Sequence, residues 1–177
     1  MKTLFALATV LAAFSTTANA AEIWRDKVAV YIKGDIEMGD FEKFKKIAST
    51  MGEGGFVVLK SNGGNLVNGL EIGTMIRAKK WRSVVVDKCH SVCAVMWLAG
   101  VQRYAYANSE IGFHGAYDTD TGNATSAGNA FVGAYLSKLG FSYKLIYEMT
   151  SAKPDTLNML NFSKASSMGI SMTVLTR

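Results

Sequence analysis

Short β-branched runs and helix-period stretches take turns along this chain, with glycine between them, and that alternation limits the fold more than any other feature. Residues 28–32, 56–59 and 83–86 are brief apolar runs of the kind a buried parallel strand shows. Phe41, Phe44, Ile47 and Ala48 share one face of a helix predicted over 41–51, with Asp40 as its cap. Asn65 opens a second helix to about 79, with Leu66, Leu70, Ile72, Gly73 and Ile76 at packing positions. Residues 91–100 read as a buried apolar helix, and 103–107 and 111–113 as two further strands. Residues 115–128 have no apolar period and read as an exposed loop. A helix over 131–151 is interrupted near Gly140, short helices are expected from Pro154 and over 163–168, and a strand over 170–175 closes the chain. This order predicts an α/β fold with a mainly parallel sheet flanked by helices.

The first twenty residues stand apart. Lys2 is followed by an uncharged apolar run from Leu4 to Phe14, and Ala18-Asn19-Ala20 supplies small residues where a signal peptidase cuts. This is the layout of a secretory signal peptide. The run is shorter than the roughly 20 apolar residues needed to span a bilayer. The expected organisation is a signal peptide at 1–20 and a single domain at 21–177, periplasmic or secreted, without stable membrane insertion after cleavage.

The net charge is +5, or +4 without Lys2. Lys43, Lys45 and Lys46 alternate with apolar residues as a solvated helix face does, so nucleic acid is not an expected partner. Cys89 and Cys93 sit four apart around Ser91. An oxidising compartment favours a disulfide between them, the alternative being two small buried thiols. With only two histidines in the chain, the donors for a structural zinc site are too few, and neither a metal nor another cofactor is expected.

Three segments carry residue types suited to nucleophilic chemistry. Ser61-Asn62-Gly63-Gly64 follows an apolar run, and paired glycines let a turn present bare N–H groups to an oxyanion or a phosphate. In Cys89-His90-Ser91-Val92-Cys93, Ser91 opens a buried helix, where free N–H groups gather. The same position suits a plain helix cap, and the segment alone leaves both readings open. The third segment, Asn108-Ser109-Glu110-Ile111-Gly112-Phe113-His114, ends on a histidine, the natural base for a serine. His90 is too close to Ser91 along the chain to be placed as its base, so His114 is preferred.

The order of these segments resembles the ClpP serine peptidases, within the ClpP/crotonase superfamily: strand, Gly-Gly, helix, strand, serine-led helix ending in Ala99-Gly100, then Asn108-Ser109 and a strand ending in His114. Ser91 precedes Gly100 by nine residues, which matches the family's spacing from the nucleophile to the glycine that ends its helix. Ser163-Lys164-Ala165 and Met168-Gly169-Ile170 are similar to the family's closing segment. The resemblance spans residues 28–174 and is specific in the three segments. It implies a ClpP/crotonase-like fold, Ser91 as nucleophile, His114 as general base, and Gly64 (with Gly63 beside it) and Val92 as oxyanion donors. Such a donor is worth about 3 to 4 kcal/mol in the transition state.

The family's aspartate lies before the closing helix, where Leu157-Asn158-Met159-Leu160-Asn161 holds no acid. Asp155 is the nearest carboxylate, ahead of Asp118 and Asp120 as orienter of His114. Paired cysteines around the serine also depart from the family, and so does export, which removes any ATPase partner. The expected activity is therefore ATP-independent cleavage of a peptide or protein substrate through an acyl-enzyme. A non-catalytic ClpP-like binding or assembly protein is the alternative. Crotonase-type chemistry on an acyl thioester ranks third, since coenzyme A is not available outside the cytoplasm. The resemblance also admits a homo-oligomer, as a ring or a smaller assembly.

Overall fold

The computed structural model describes residues 20–176, so the predicted signal segment, apart from Ala20, lies outside the described residues. The first elements are β1 (Glu22–Asp26) and β2 (Ala29–Lys33), an antiparallel hairpin turned at Lys27, whose φ is 51°. There follow α1 (Asp40–Ala48), β3 (Phe56–Ser61), α2 (Leu66–Ala78), β4 (Arg82–His90), α3 (Val92–Ala99), β5 (Arg103–Tyr106) and β6 (Glu110–Phe113). Beyond a loop come α4 (Ser126–Lys138), α5 (Tyr143–Thr150), β7 (Asn158–Met159), two single 3-10 turns and β8 (Thr173–Leu175).

The fold is α/β, with one mixed sheet of eight strands flanked by helices. The order is β1-β2-β3-β4-β5-β8, and β2 through β5 and β8 pair in parallel. The pairs β1/β2 and β6/β7 are antiparallel. The long strand β4 takes two successive parallel neighbours on one side: β5 along Ser83–Val85, then β6 along Lys88–His90. The sheet therefore forks where β4 ends, and Ser91 follows that fork directly.

Alternating burial along β2 and β3 puts Val30, Ile32, Val57 and Leu59 in the core, where Phe44 of α1 meets Trp81 edge-on at 5.9 Å. Helix α3 is different. All eight of its residues are buried, which explains why its sequence shows no polar face.

Several boundaries differ from expectation, each for a physical reason. Asp40 does not cap α1: Gly39 holds the cap position at φ 91°, while the fully buried Asp40 carboxylate accepts the N–H of Glu37 at 2.8 Å. Helix α4 begins at Ser126, inside the predicted loop, because Thr125 accepts the N–H of Gly128 and small residues pack where apolar bulk would otherwise mark the face. A Cβ on Gly128 would come 2.6 Å from that of Ala116. The interruption near Gly140 is a full break, with Gly140 at φ 89° and Ser142 capping α5. Pro154 and Asp155 lie in a turn rather than a helix, and residues 162–168 form two 3-10 turns rather than one helix.

Helix α2 packs closely on α3 at Gly69, where an added Cβ would collide with the branched side chain of Val92. Gly69→Ala would gain about 1 kcal/mol of helix propensity. Overpacking against a β-branched neighbour costs about 1 to 3 kcal/mol and outweighs it. We expect Gly69→Ala to melt a few degrees below the wild type in calorimetry, at about 2 to 4 °C per kcal/mol for a chain of this size. An unchanged or raised melting temperature would contradict this packing account.

Candidate active site

Ser91 sits between β4 and α3 with φ 54° and ψ −130°. A non-glycine residue in such a region costs on the order of 1–3 kcal/mol and persists only where its surroundings over-determine it. Three restraints do so here. Its N–H donates to the Gly112 carbonyl at 2.9 Å, which ties the turn to β6. A disulfide joins Cys89 to Cys93 across the turn, the pairing an oxidising compartment favours. The Gly-Gly turn packs directly on it, since a Cβ on Gly63 would lie 2.6 Å from that of Ser91. Gly63 and Gly64 have φ of 112° and 118°, which only glycine adopts without strain.

Although Ser91 holds the N-cap position of α3, its hydroxyl makes no capping bond. A plain cap would spend that oxygen on the N–H of the second or third helical residue. Instead Ser91 lines a cavity of about 600 Å³ that also reaches Gly64, Val92 and His114. Leu66, Val95, Phe113, Val132 and Met149 give it an apolar wall, and Glu37, Asn62, Asn65 and Asp118 a polar one.

The donors sort themselves. The Gly63 N–H is taken by Ser61 Oγ at 3.0 Å, so Gly63 shapes the turn and does not offer a free donor. No acceptor among the described residues takes the N–H of Gly64 or of Val92, and both residues face the cavity. Ile36 clamps the turn from outside: its N–H donates to the Gly63 carbonyl, and its own carbonyl accepts from Asn65, both at 2.6 Å. Nothing in the sequence marked Ile36 for this role, because it acts through its backbone N–H and carbonyl.

His114 follows β6 and is half-buried. Its Nδ1 lies 2.7 Å from the Gly115 carbonyl oxygen. A carbonyl can only accept, so in the neutral ring Nδ1 carries the hydrogen and Nε2 keeps its lone pair. That is the tautomer a general base requires. No hydrogen bond joins Ser91 to His114, and none joins Asp155 to His114, among the described residues. Asp155 is exposed in its turn. Asp118 borders the cavity, but its Oδ1 accepts from Thr121 and Asp120, and the Thr121 N–H in particular holds its carboxyl below the usual range. Asp120 is exposed in the same loop.

His90, the residue before Ser91, is a second imidazole near His114 but does not line the cavity. Its Nε2 is buried without a hydrogen-bond partner, and Glu110 Oε2 stands 3.7 Å away. Burial holds its pKa below 6.5; Glu110 pulls it up, while Lys88 and His114 push it further down.

The chain matches no family model and no curated protein sequence. Among the described residues, no helix is long and apolar enough to cross a membrane.

The depressed pKa of His90 links stability to pH. The unfolded chain binds a proton there more readily than the folded one, so this contribution is complete above about 6.5 and declines as pH falls toward the lower folded value. We expect the urea midpoint to fall between pH 7 and pH 5.5, and to fall less in His90→Gln. Parallel pH profiles for the two proteins would refute the assignment.

Proposed function

We propose that this protein is an exported serine hydrolase of ClpP-like fold, an ATP-independent peptidase with Ser91 as nucleophile and His114 as base. The observation that carries the reading is the state of Ser91. It is held in a strained strand-to-helix turn, and its hydroxyl, unused as a cap, opens on the cavity that His114 and the free Gly64 and Val92 N–H groups share. Strained turns of this kind expose serine nucleophiles at the top of a sheet.

In this reading, Ser91 Oγ attacks a substrate carbonyl as His114 Nε2 takes the hydroxyl proton. The carbonyl oxygen gains the electron pair and turns to the N–H groups of Gly64 and Val92. As the tetrahedral centre collapses, the C–N bond breaks and His114 returns the proton to the leaving amine. Water, deprotonated by His114, then cleaves the Ser91 ester. Without a carboxylate partner, His114 works as half of a dyad, its tautomer set by the Gly115 carbonyl. The Ser91–His114 hydrogen bond would form on substrate binding, as catalytic contacts often do.

A second reading has specific support. Among the described residues, no hydrogen bond joins Ser91 to His114 and none joins an acid to the imidazole, as a peptide-binding module without turnover would also show.

A fluorophosphonate probe separates the two. The hydrolase reading expects labelling of wild type, none of Ser91→Ala, and labelling of His114→Ala slowed by roughly 10²–10⁴-fold, the usual worth of a general base. Wild type that binds peptide but stays unlabelled would establish the binding module. Labelling that survives in Ser91→Ala would remove Ser91 from the mechanism.

A further inference from the structure

The nitrogen of Ala21 lies where signal cleavage after Ala20 would turn an amide into a charged terminus. It is buried and sits 3.2 Å from Oδ2 of Asp40, nineteen residues away in sequence. Asp40 is a fully buried carboxylate. Its partners are Lys43 Nζ at 2.8 Å on Oδ1, with the N–H groups of Glu37 and Ala21 both on Oδ2. A buried carboxylate needs compensating charge as well as hydrogen bonds. Lys43 supplies one cation from the solvent side, its own side chain being half exposed. The inner oxygen has only amides while the chain is uncut.

The surroundings show what such a charge would hold. Glu37, bound by Asp40, adjoins Ile36, whose N–H and carbonyl grip Gly63 and Asn65. The start of α1 is tied to the same place, since the N–H groups of Gly39 and Phe41 donate to Asn68 Oδ1 on α2. From the Ala21 nitrogen to the Gly63-Gly64 turn runs one unbroken chain: Asp40, Glu37, Ile36, turn.

We propose that Ala21–Asp40 is a docking site for the chain's own processed terminus: the ammonium released by cleavage after Ala20 forms a buried ion pair with Asp40 and locks the 35–37 segment that clamps the Gly63-Gly64 turn. This rests on the export reading and is independent of the hydrolase reading. The peptide bond between Ala20 and Ala21 is hydrolysed with one water, which leaves the Ala20 carboxylate on the released segment and the ammonium on Ala21. The precursor thus keeps the fold with an amide N–H on the carboxylate, and maturation replaces that amide with an ammonium, which adds a full positive charge beside Asp40.

Acetylation tests this without altering any side chain. The protein is prepared starting at Ala21, with a free or an acetylated terminus, each in the wild-type sequence and in the Asp40→Asn variant. The acetyl carbonyl takes the place of the Ala20 carbonyl, and Ala20 is exposed, so it fits without crowding. With Asp40 present, the acetylated form is expected to melt about 3 to 6 °C below the free form, and Asp40→Asn should abolish that difference. Equal melting of the free and acetylated forms, or a difference that persists in Asp40→Asn, would overturn the ion pair. The first comparison stands even if Asp40→Asn does not fold.

The intact mass of protein recovered from the periplasm or medium separates the two readings. A start at Ala21 supports both. A start elsewhere leaves export standing and overturns the ion pair, and an uncut chain overturns both.

Discussion

Helix α3 is buried on every side, and the rest of the site follows from that constraint. Eight consecutive buried residues leave no solvated face, so the first N–H groups of the helix must meet either protein or a cavity. Here Ala94 and Val95 donate to the Ser91 carbonyl, while Val92, next to the strained serine, faces a cavity. The strain of that turn, on the order of 1–3 kcal/mol, is of the size its restraints can supply. A disulfide closing so short a loop contributes about 2 kcal/mol in the chain-entropy account, and the hydrogen bond from Ser91 to Gly112 adds about 1 kcal/mol. Ser91 is therefore held by its neighbours, not by its own preference.

The fork of the sheet explains why three distant segments converge. Strand β4 pairs with β3 on one side, and with β5 and then β6 on the other. The ends of β3, β4 and β6 are thereby brought level: β3 delivers the Gly-Gly turn, β4 delivers Ser91 and β6 delivers His114. Binding sites of α/β sheets form at the carboxyl ends of such strands, where adjacent connections diverge. The clamp at Ile36 belongs to the same logic, because it extends β2 alongside the turn that β3 presents.

Much of this was legible in the chain. The parallel strands announce themselves as apolar runs, and the glycine pair, the serine and the terminal histidine fall at their ends in the order the sheet uses. What was hidden obeys other physics. Strand β1 is mostly exposed, so Glu22, Arg25 and Asp26 carry no apolar signal and only its pairing with β2 defines it. The start of α4 is masked because close packing at Gly128 selects small residues, and hydropathy cannot see closeness. Asp40 looked like a cap because its type and position suit one; its carboxylate instead folds back on Glu37, since burial offers it partners that a solvated cap lacks. Beside His114 Nδ1 stands the backbone carbonyl of Gly115, a contact that no residue type announces.

That contact has a chemical consequence. A carbonyl fixes the imidazole tautomer as a carboxylate would, but it brings no full charge to stabilise the imidazolium that the proposed deprotonation of Ser91 would form. Keeping further positive charge away from that imidazolium then matters more. His90 is the residue placed to oppose it, and burial keeps its pKa down. A neutral His90 puts no second cation beside a protonated His114. The same desolvation that makes His90 costly in acid thus also suits the proposed Ser91–His114 dyad at neutral pH. Structural cost and chemical benefit arise from one buried ring.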